Sequence, residues 1–123
     1  MANAVNWFEI PATNFDRAVD FYKSLFSYEF HMANMMGTDM AFFPGDNKNQ
    51  GATGAIVRGD GYTPTEKGAL IYFTAGTDLN DVLKKVEGAG GKVSLPKTSI
   101  GENGFIAHVI DSEGNKIGLH SLN

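Results

Sequence analysis

The chain has 123 residues, a formal net charge of -4 and no cysteine. That length allows one compact domain, and 42% hydrophobic residues exclude a disordered chain. Without cysteine there is no disulfide, thiolate nucleophile or cysteine metal site; an acidic balance without a basic stripe speaks against nucleic acid, and no apolar run approaches a membrane span.

Residues 1–7 lack the basic region and apolar core of a secretory leader, which reads as a cytoplasmic protein. Residues 5–10, rich in β-branched and aromatic side chains, read as a strand. Asn14 stands where an N-cap belongs, ahead of a helix over 15–26. Its apolar stripe is Phe15, Ala18, Val19, Tyr22 and Phe26, with Asp16, Arg17, Asp20 and Lys23 on the other face. Strands follow over 28–32, 40–43 and 52–57, punctuated by Pro44-Gly45-Asp46 and Gly59-Asp60-Gly61. Met32, Met35, Met36 and Met40 crowd the first hairpin, as edge-strand packing or as an adaptable pocket wall or dimer surface. The polar run 46–50 reads as a solvated loop.

The second half repeats this order. A strand over 69–74 precedes the cap candidate Asp78 and a helix over 79–89, striped by Leu79, Val82, Leu83 and Val86. Gly90-Gly91 ends it as a left-handed cap would. Strands over 92–95, 105–110 and 116–120 complete the half, with the turn Asp111-Ser112-Glu113-Gly114-Asn115 before the last.

The caps Asn14 and Asp78 are 64 residues apart. That offset lays Trp7 on Ile71, Phe8 on Tyr72, Tyr22 on Val86 and Gly54 on Gly118. The pattern predicts an α+β domain over 1–123, built of two β-α-β-β-β modules, about 1–60 and 61–123, related by a pseudo-twofold. Each module would be a curved sheet with one helix on its outer face, and the two inner faces would enclose a cavity.

The segment Trp7-Phe8-Glu9-Ile10-Pro11, then Arg17-Ala18 and Phe21-Tyr22, resembles the opening of the vicinal oxygen chelate superfamily. Ala41-Phe42-Phe43-Pro44-Gly45-Asp46, Gly61-Tyr62-Thr63-Pro64 through Tyr72-Phe73, Gly90-Gly91-Lys92-Val93 and Asp111-Ser112-Glu113-Gly114-Asn115 are similar to a small bacterial branch of it. The superfamily holds glyoxalase I, bleomycin-resistance proteins and extradiol dioxygenases, and the resemblance covers nearly the whole chain. It implies a glyoxalase-like fold and a homodimer. It also implies a metal held by His, Gln or Glu from the first and last strands of each module. Carried over, those positions are Trp7, Gly54, Ile71 and Gly118, and a one-residue slip on the last strands gives Ala55 or Leu119. None offers a side-chain donor, so the expectation is no metal and no other cofactor.

Strand alternation turns Trp7 and Glu9 toward the cavity if Phe8 and Ile10 pack under a helix. Glu9 is then a general base or cation anchor, or a carboxylate satisfied by a neighbouring strand. Trp7 is a stacking platform or a plug. His120 and His108 share the inward parity, while His31 falls near a strand end and is expected to be exposed. The candidate site is Glu9 and His120 as the orienting or catalytic pair, with Trp7, Ile71, Phe73 and His108 as ligand-binding wall. Ser112 and Ser121 lack a nucleophile context, and no phosphate-cradling motif occurs.

These readings converge on a metal-free protein that binds a small organic molecule and neither nucleic acid nor membrane. Three rivals remain. One is a glyoxalase-like lyase or isomerase, or a dioxygenase, with a metal on unfamiliar ligands such as His108, His120 and Glu9. The second is an antibiotic-sequestering protein, which a charge of -4 suits when the drug is cationic. The third is a module that only self-associates.

Overall fold

The computed structural model describes residues 3–45 and 51–123; the expected polar loop at 46–50 lies outside them. Strand β1 (Trp7–Pro11), helix α1 (Phe15–Phe26) and strands β2 (His31–Met35), β3 (Thr38–Phe42) and β4 (Thr53–Arg58) make the first module. The second is β5 (Tyr72–Thr74), α2 (Asn80–Val86), β6 (Lys92–Ser99), a short 3-10 turn (Gly101–Asn103), β7 (Phe105–Ile110) and β8 (Lys116–Ser121). The sheets have the strand orders β1-β4-β3-β2 and β5-β8-β7-β6. In each the first strand runs parallel to the last, and the remaining pairs are antiparallel. The β-α-β-β-β unit therefore occurs twice with one topology, as the repeat predicts.

Local chemistry sets the helix ends. Asn14 Oδ1 accepts from the Arg17 N–H at 3.1 Å, and Ser27, at φ 58°, closes α1 in the left-handed region with its N–H on the Lys23 carbonyl. Asp78 Oδ1 accepts from the Asn80 N–H at 2.9 Å, and Ser121 Oγ takes the Leu79 N–H at 3.0 Å. Helix α2 is shorter than its apolar stripe suggests, and the chain then turns through Gly90 at φ 102°.

The helical stripes meet in one core shared by both modules. Val19, Tyr22, Leu79 and Val86 are buried, while Phe15 and Leu83 pack half-buried at its margin. Tyr22 touches Phe43 of the first sheet and Phe73 of the second, each with ring centroids 5.6 Å apart. Phe8 of β1 meets Phe73 of β5 edge-on at 5.6 Å. The two helices also touch each other. Each sheet thus covers one face with this core and turns the other away from it. The module 2 turn 111–115 docks on module 1. Glu113 Oε1 accepts from the Thr13 and Asn14 N–H groups, Glu113 Oε2 meets Arg17 Nε at 2.6 Å, and Asn115 Nδ2 donates to the Pro11 carbonyl.

Candidate binding site on two sheet faces

Register decides which side chains leave the core. Trp7 pairs with Thr53 and Glu9 with Ala55, while Tyr72 pairs with Gly118 and Thr74 with His120. Phe8 and Phe73, between them, both enter the core. The structural counterpart of Trp7 is therefore Tyr72, 65 positions on, and not Ile71. The 64-residue offset holds for the helices, where Tyr22 matches Val86, but the first strands are shifted by one.

That shift moves two expected wall residues off the level of Trp7, though each still borders a cleft: Ile71 a small one that it lines with Glu9, Phe73 the groove on the second sheet. Ile71 packs half-buried on the core cluster. Phe73 borders a groove on the second sheet, but its ring lies in the core against Phe8, Tyr22, Phe26 and Phe43. The residue between them, Tyr72, has the outward position and is 45% exposed. The alternation Ile71-Tyr72-Phe73-Thr74-Ala75 carries this signal, because Phe73 and Ala75 are the fully apolar members of a period-2 pattern.

On the first sheet the outward face carries Trp7, Glu9, Met40, Phe42, Ala55 and Val57. Met40, Ala55 and Val57 form a small buried cluster covered by Phe42 and Tyr62. Trp7 packs on Phe42 with centroids 5.8 Å apart, and His31, exposed as expected, stacks on the same ring. Glu9 is anchored by two neighbours: Tyr62 donates to Oε1 at 3.0 Å and Trp7 Nε1 to Oε2 at 3.4 Å. The bond to Glu9, followed by the carboxylate's charge, holds the Tyr62 phenol above its ordinary pKa. The partners of Glu9 are thus side chains, and its carboxylate remains exposed on the face.

On the second sheet a groove of about 470 Å³ is lined by Tyr72, Phe73, Thr74, Ile100, Ile106 and His120. His120 Nε2 lies 2.7 Å from the Asn103 carbonyl oxygen. A carbonyl only accepts, so Nε2 carries the proton, and in the neutral ring Nδ1 is left as an acceptor. His108 Nε2 lies 2.8 Å from the Tyr72 hydroxyl. His108 pairs with Gly118 on one side and Tyr72 pairs with it on the other, so this contact crosses directly above the glycine. A Cβ at Gly118 would collide with the Tyr72 ring at Cδ1 and Cε1. The space expected to be free at Gly118 is filled by Tyr72. At Gly54 the missing Cβ is on the core side, against the Phe8 carbonyl oxygen and ring.

The structure therefore places Trp7 and Glu9 on one face, and His108 and His120 on the other. It does not join Glu9 to His120, since their partners are Trp7 and Tyr62 for the one and Asn103 for the other. Sequence reasoning missed Tyr62, Tyr72, Thr74, Ile100 and Ile106. Tyr62 and Ile100 lie outside the strands, where alternation gives no cue.

No family model matches the chain, and no curated protein matches it. Solved structures do. A glyoxylase/bleomycin resistance protein/dioxygenase domain from Frankia sp. superposes with a TM-score of 0.73 over 100% of both chains at 14% identity. The chain has the glyoxalase-like fold. The fosfomycin resistance protein FosX from Listeria monocytogenes shares this fold with a TM-score of 0.72 at 13% identity, over 100% of this chain and 93% of that one. Glyoxalase I from Zea mays gives 0.69 at 16% identity over 94% of this chain and 44% of its own length, so the chain spans about half of that enzyme.

Within this fold the metal positions can be tested against the corrected register. The outward residues on the first and last strands are Trp7, Thr53, Tyr72 and Gly118 at one level, then Glu9, Ala55, Thr74 and His120. The first set holds no imidazole, carboxylate or thiolate, and Thr53 Oγ1 donates to the Phe43 and Pro44 carbonyls. The second set offers Glu9 and His120, one on each sheet. Among the described residues no group of three or more His, Asp or Glu is gathered to hold a metal ion. The outward residues at these positions do not fit the metal that the resemblance implies. Nor does any helix among the described residues have the length and apolarity to cross a membrane.

Proposed function

We propose that the protein binds a small, largely apolar organic molecule without a metal, at a site formed by the two outward sheet faces. The observation that carries this is the matched exposure of Trp7 and Tyr72. They occupy equivalent positions in the two modules, 37% and 45% exposed, each on a face turned away from the shared core. Large rings left partly in water beside an apolar groove are the usual lining of a ligand site.

In this reading the chain works as a homodimer. The first-sheet face of one protomer meets the second-sheet face of its partner, which covers Trp7, Tyr72 and Ile100 and encloses the groove between two chains. Glu9 brings a carboxylate to the first face, which favours an amine-bearing aromatic ligand, as an antibiotic-sequestering protein for a cationic drug would require.

Three measurements test this. Light scattering gives a dimer mass; a monomer across a wide dilution range overturns the shared site. Trp7 is the only tryptophan, so its emission reports on the site directly. Benzylamine shifts or quenches it, and Glu9→Gln weakens benzylamine while leaving benzyl alcohol unchanged. Emission that ignores both ligands refutes the reading. Stoichiometric metal in protein purified without added metal overturns the metal-free part.

A further inference from the structure

Tyr72 belongs both to the apolar groove and to the contact with His108, and this double role assigns the groove a chemistry. We propose that Tyr72 and His108 form a proton relay that binds hydroxy-aromatic molecules and takes up their acidic proton. The proposal rests on the small-molecule reading above and names the ligand class for its second-sheet half.

The groove supplies the fit. Ile100 and Ile106 give an apolar floor, the Tyr72 ring gives a flat wall, and about 470 Å³ accommodates one or two rings. The proton path follows from hydrogen-bond roles. In the tautomer that carries the imidazole proton on Nδ1, the Tyr72 phenol donates to His108 Nε2, 2.8 Å away, and the relay requires that tautomer. A bound phenol places its O–H on the Tyr72 oxygen. Its O–H bond breaks, the proton passes to Tyr72, and the Tyr72 proton passes to His108 Nε2. The products are a bound phenolate and an imidazolium, with no change of oxidation state. Tyr72 touches the ligand, while His108 acts through Tyr72 as a positioning residue and proton store. The other imidazole on this face, His120, is tethered by its Nε2 to the Asn103 carbonyl and keeps Nδ1 for a second polar contact.

Gly118 is the condition for the relay. Tyr72 and His108 stand on strands that are not neighbours, β5 and β7, with β8 between them. Any side chain at Gly118 would occupy the Tyr72 ring position and part the pair.

The probe is 4-nitrophenol, colourless as the phenol and yellow as the phenolate, in buffer acidic enough that the free probe is mostly phenol. Wild-type protein raises the phenolate-to-phenol ratio of bound probe about tenfold over buffer, equivalent to about one pKa unit. His108→Gln retains binding by equilibrium dialysis and loses the yellow band. Tyr72→Phe loses the band and weakens 4-nitrophenol but not 4-nitroanisole, which has no proton to give. Binding without the band in wild type overturns the relay, as does a band that survives either substitution. If 4-nitrophenol fails to bind while benzylamine still shifts Trp7, the hydroxy-aromatic assignment falls and the general binding reading stands. If neither binds, both fall.

Discussion

The Tyr22 phenol donates to Asp111 Oδ2 at 2.7 Å, joining the helix of the first module to the last hairpin of the second across 89 residues. Both groups are buried. Burial, followed by the charge of Asp111, raises the Tyr22 phenol well above its ordinary pKa, so it stays a donor. Asp111 also accepts from the Glu113 and Asn115 N–H groups and from Asn115 Nδ2, so it organises the turn it stands in. Tyr22→Phe removes one donor from a buried carboxylate and should cost about 1–3 kcal/mol in urea denaturation. Asp111→Ala should cost more, because it also strips the turn of three acceptor contacts. Equal stability of Tyr22→Phe and wild type would show that the bond contributes nothing.

Glu113 makes the same interface sensitive to acid. Burial pushes its carboxyl up, but Arg17 and the Asn14 and Thr13 N–H groups outweigh that, and the net pKa is lowered. A carboxyl with a folded pKa below its unfolded value stabilises above the unfolded value, about 4.3, and loses that contribution as pH falls through the folded one. Asp39, lowered by Asn34 and Arg58, and Asp78, lowered by the Asn80 N–H and Lys97, act in the same direction. The urea midpoint should therefore hold near neutrality and fall below about pH 4. Glu113→Gln should lower the neutral plateau and flatten part of that slope. A midpoint with the same slope in the variant would remove Glu113 from the linkage.

Met36 sits at a backbone cost. Met35 pairs with Thr38, leaving Met36-Gly37 as a two-residue hairpin turn with φ values of 56° and 84°. Two positive φ angles fit a type I′ turn, which favours Asn-Gly. A methionine in the left-handed region is disfavoured by about 1–2 kcal/mol, and this one is fully exposed, with no packing to offset it. Met36→Asn should raise the thermal midpoint by a few degrees, consistent with about 1 kcal/mol in a chain of this size. A lower midpoint would show that Met36 makes a contact, such as a dimer contact, that the isolated chain does not display.

The helices and the repeat were legible because a helical stripe tolerates error. Phe15, Val19 and Tyr22, like Leu79, Leu83 and Val86, mark the buried side whatever the loop lengths. A strand has no such tolerance, since one residue of slip exchanges its two faces. Carrying the helix offset back to the first strands put Ile71 where Tyr72 belongs, and Phe73 went from core to wall. The connection from β5 to α2 differs in length from that between β1 and α1, and only tertiary packing reports it. Glu9, His108 and His120 did leave the core by strand parity, but onto two faces turned away from it rather than into the enclosed cavity that the repeat predicts. Their true partners, Tyr62, Tyr72 and Asn103, come from a loop, a short strand and a 3-10 turn that carry no periodic signal.

The two glycines on the last strands separate fold from site. At Gly54 a Cβ would meet the backbone carbonyl of Phe8 on the parallel neighbour and the Phe8 ring, inside the core. A strand backbone cannot step aside without breaking its ladder, so Gly54→Ala should destabilise by about 3 kcal/mol, at the upper end of overpacking costs. At Gly118 the obstacle is the Tyr72 side chain, 45% exposed and able to swing into solvent. Gly118→Ala should therefore cost only about 1 kcal/mol in urea denaturation. It should nonetheless part Tyr72 from His108 and abolish the phenolate band of bound 4-nitrophenol. A Gly118→Ala protein that is stable and still yellow would show that the hydroxyl–imidazole contact does not depend on the glycine. A loss as large as that of Gly54→Ala would instead mean that the Tyr72 ring is locked in place by the fold.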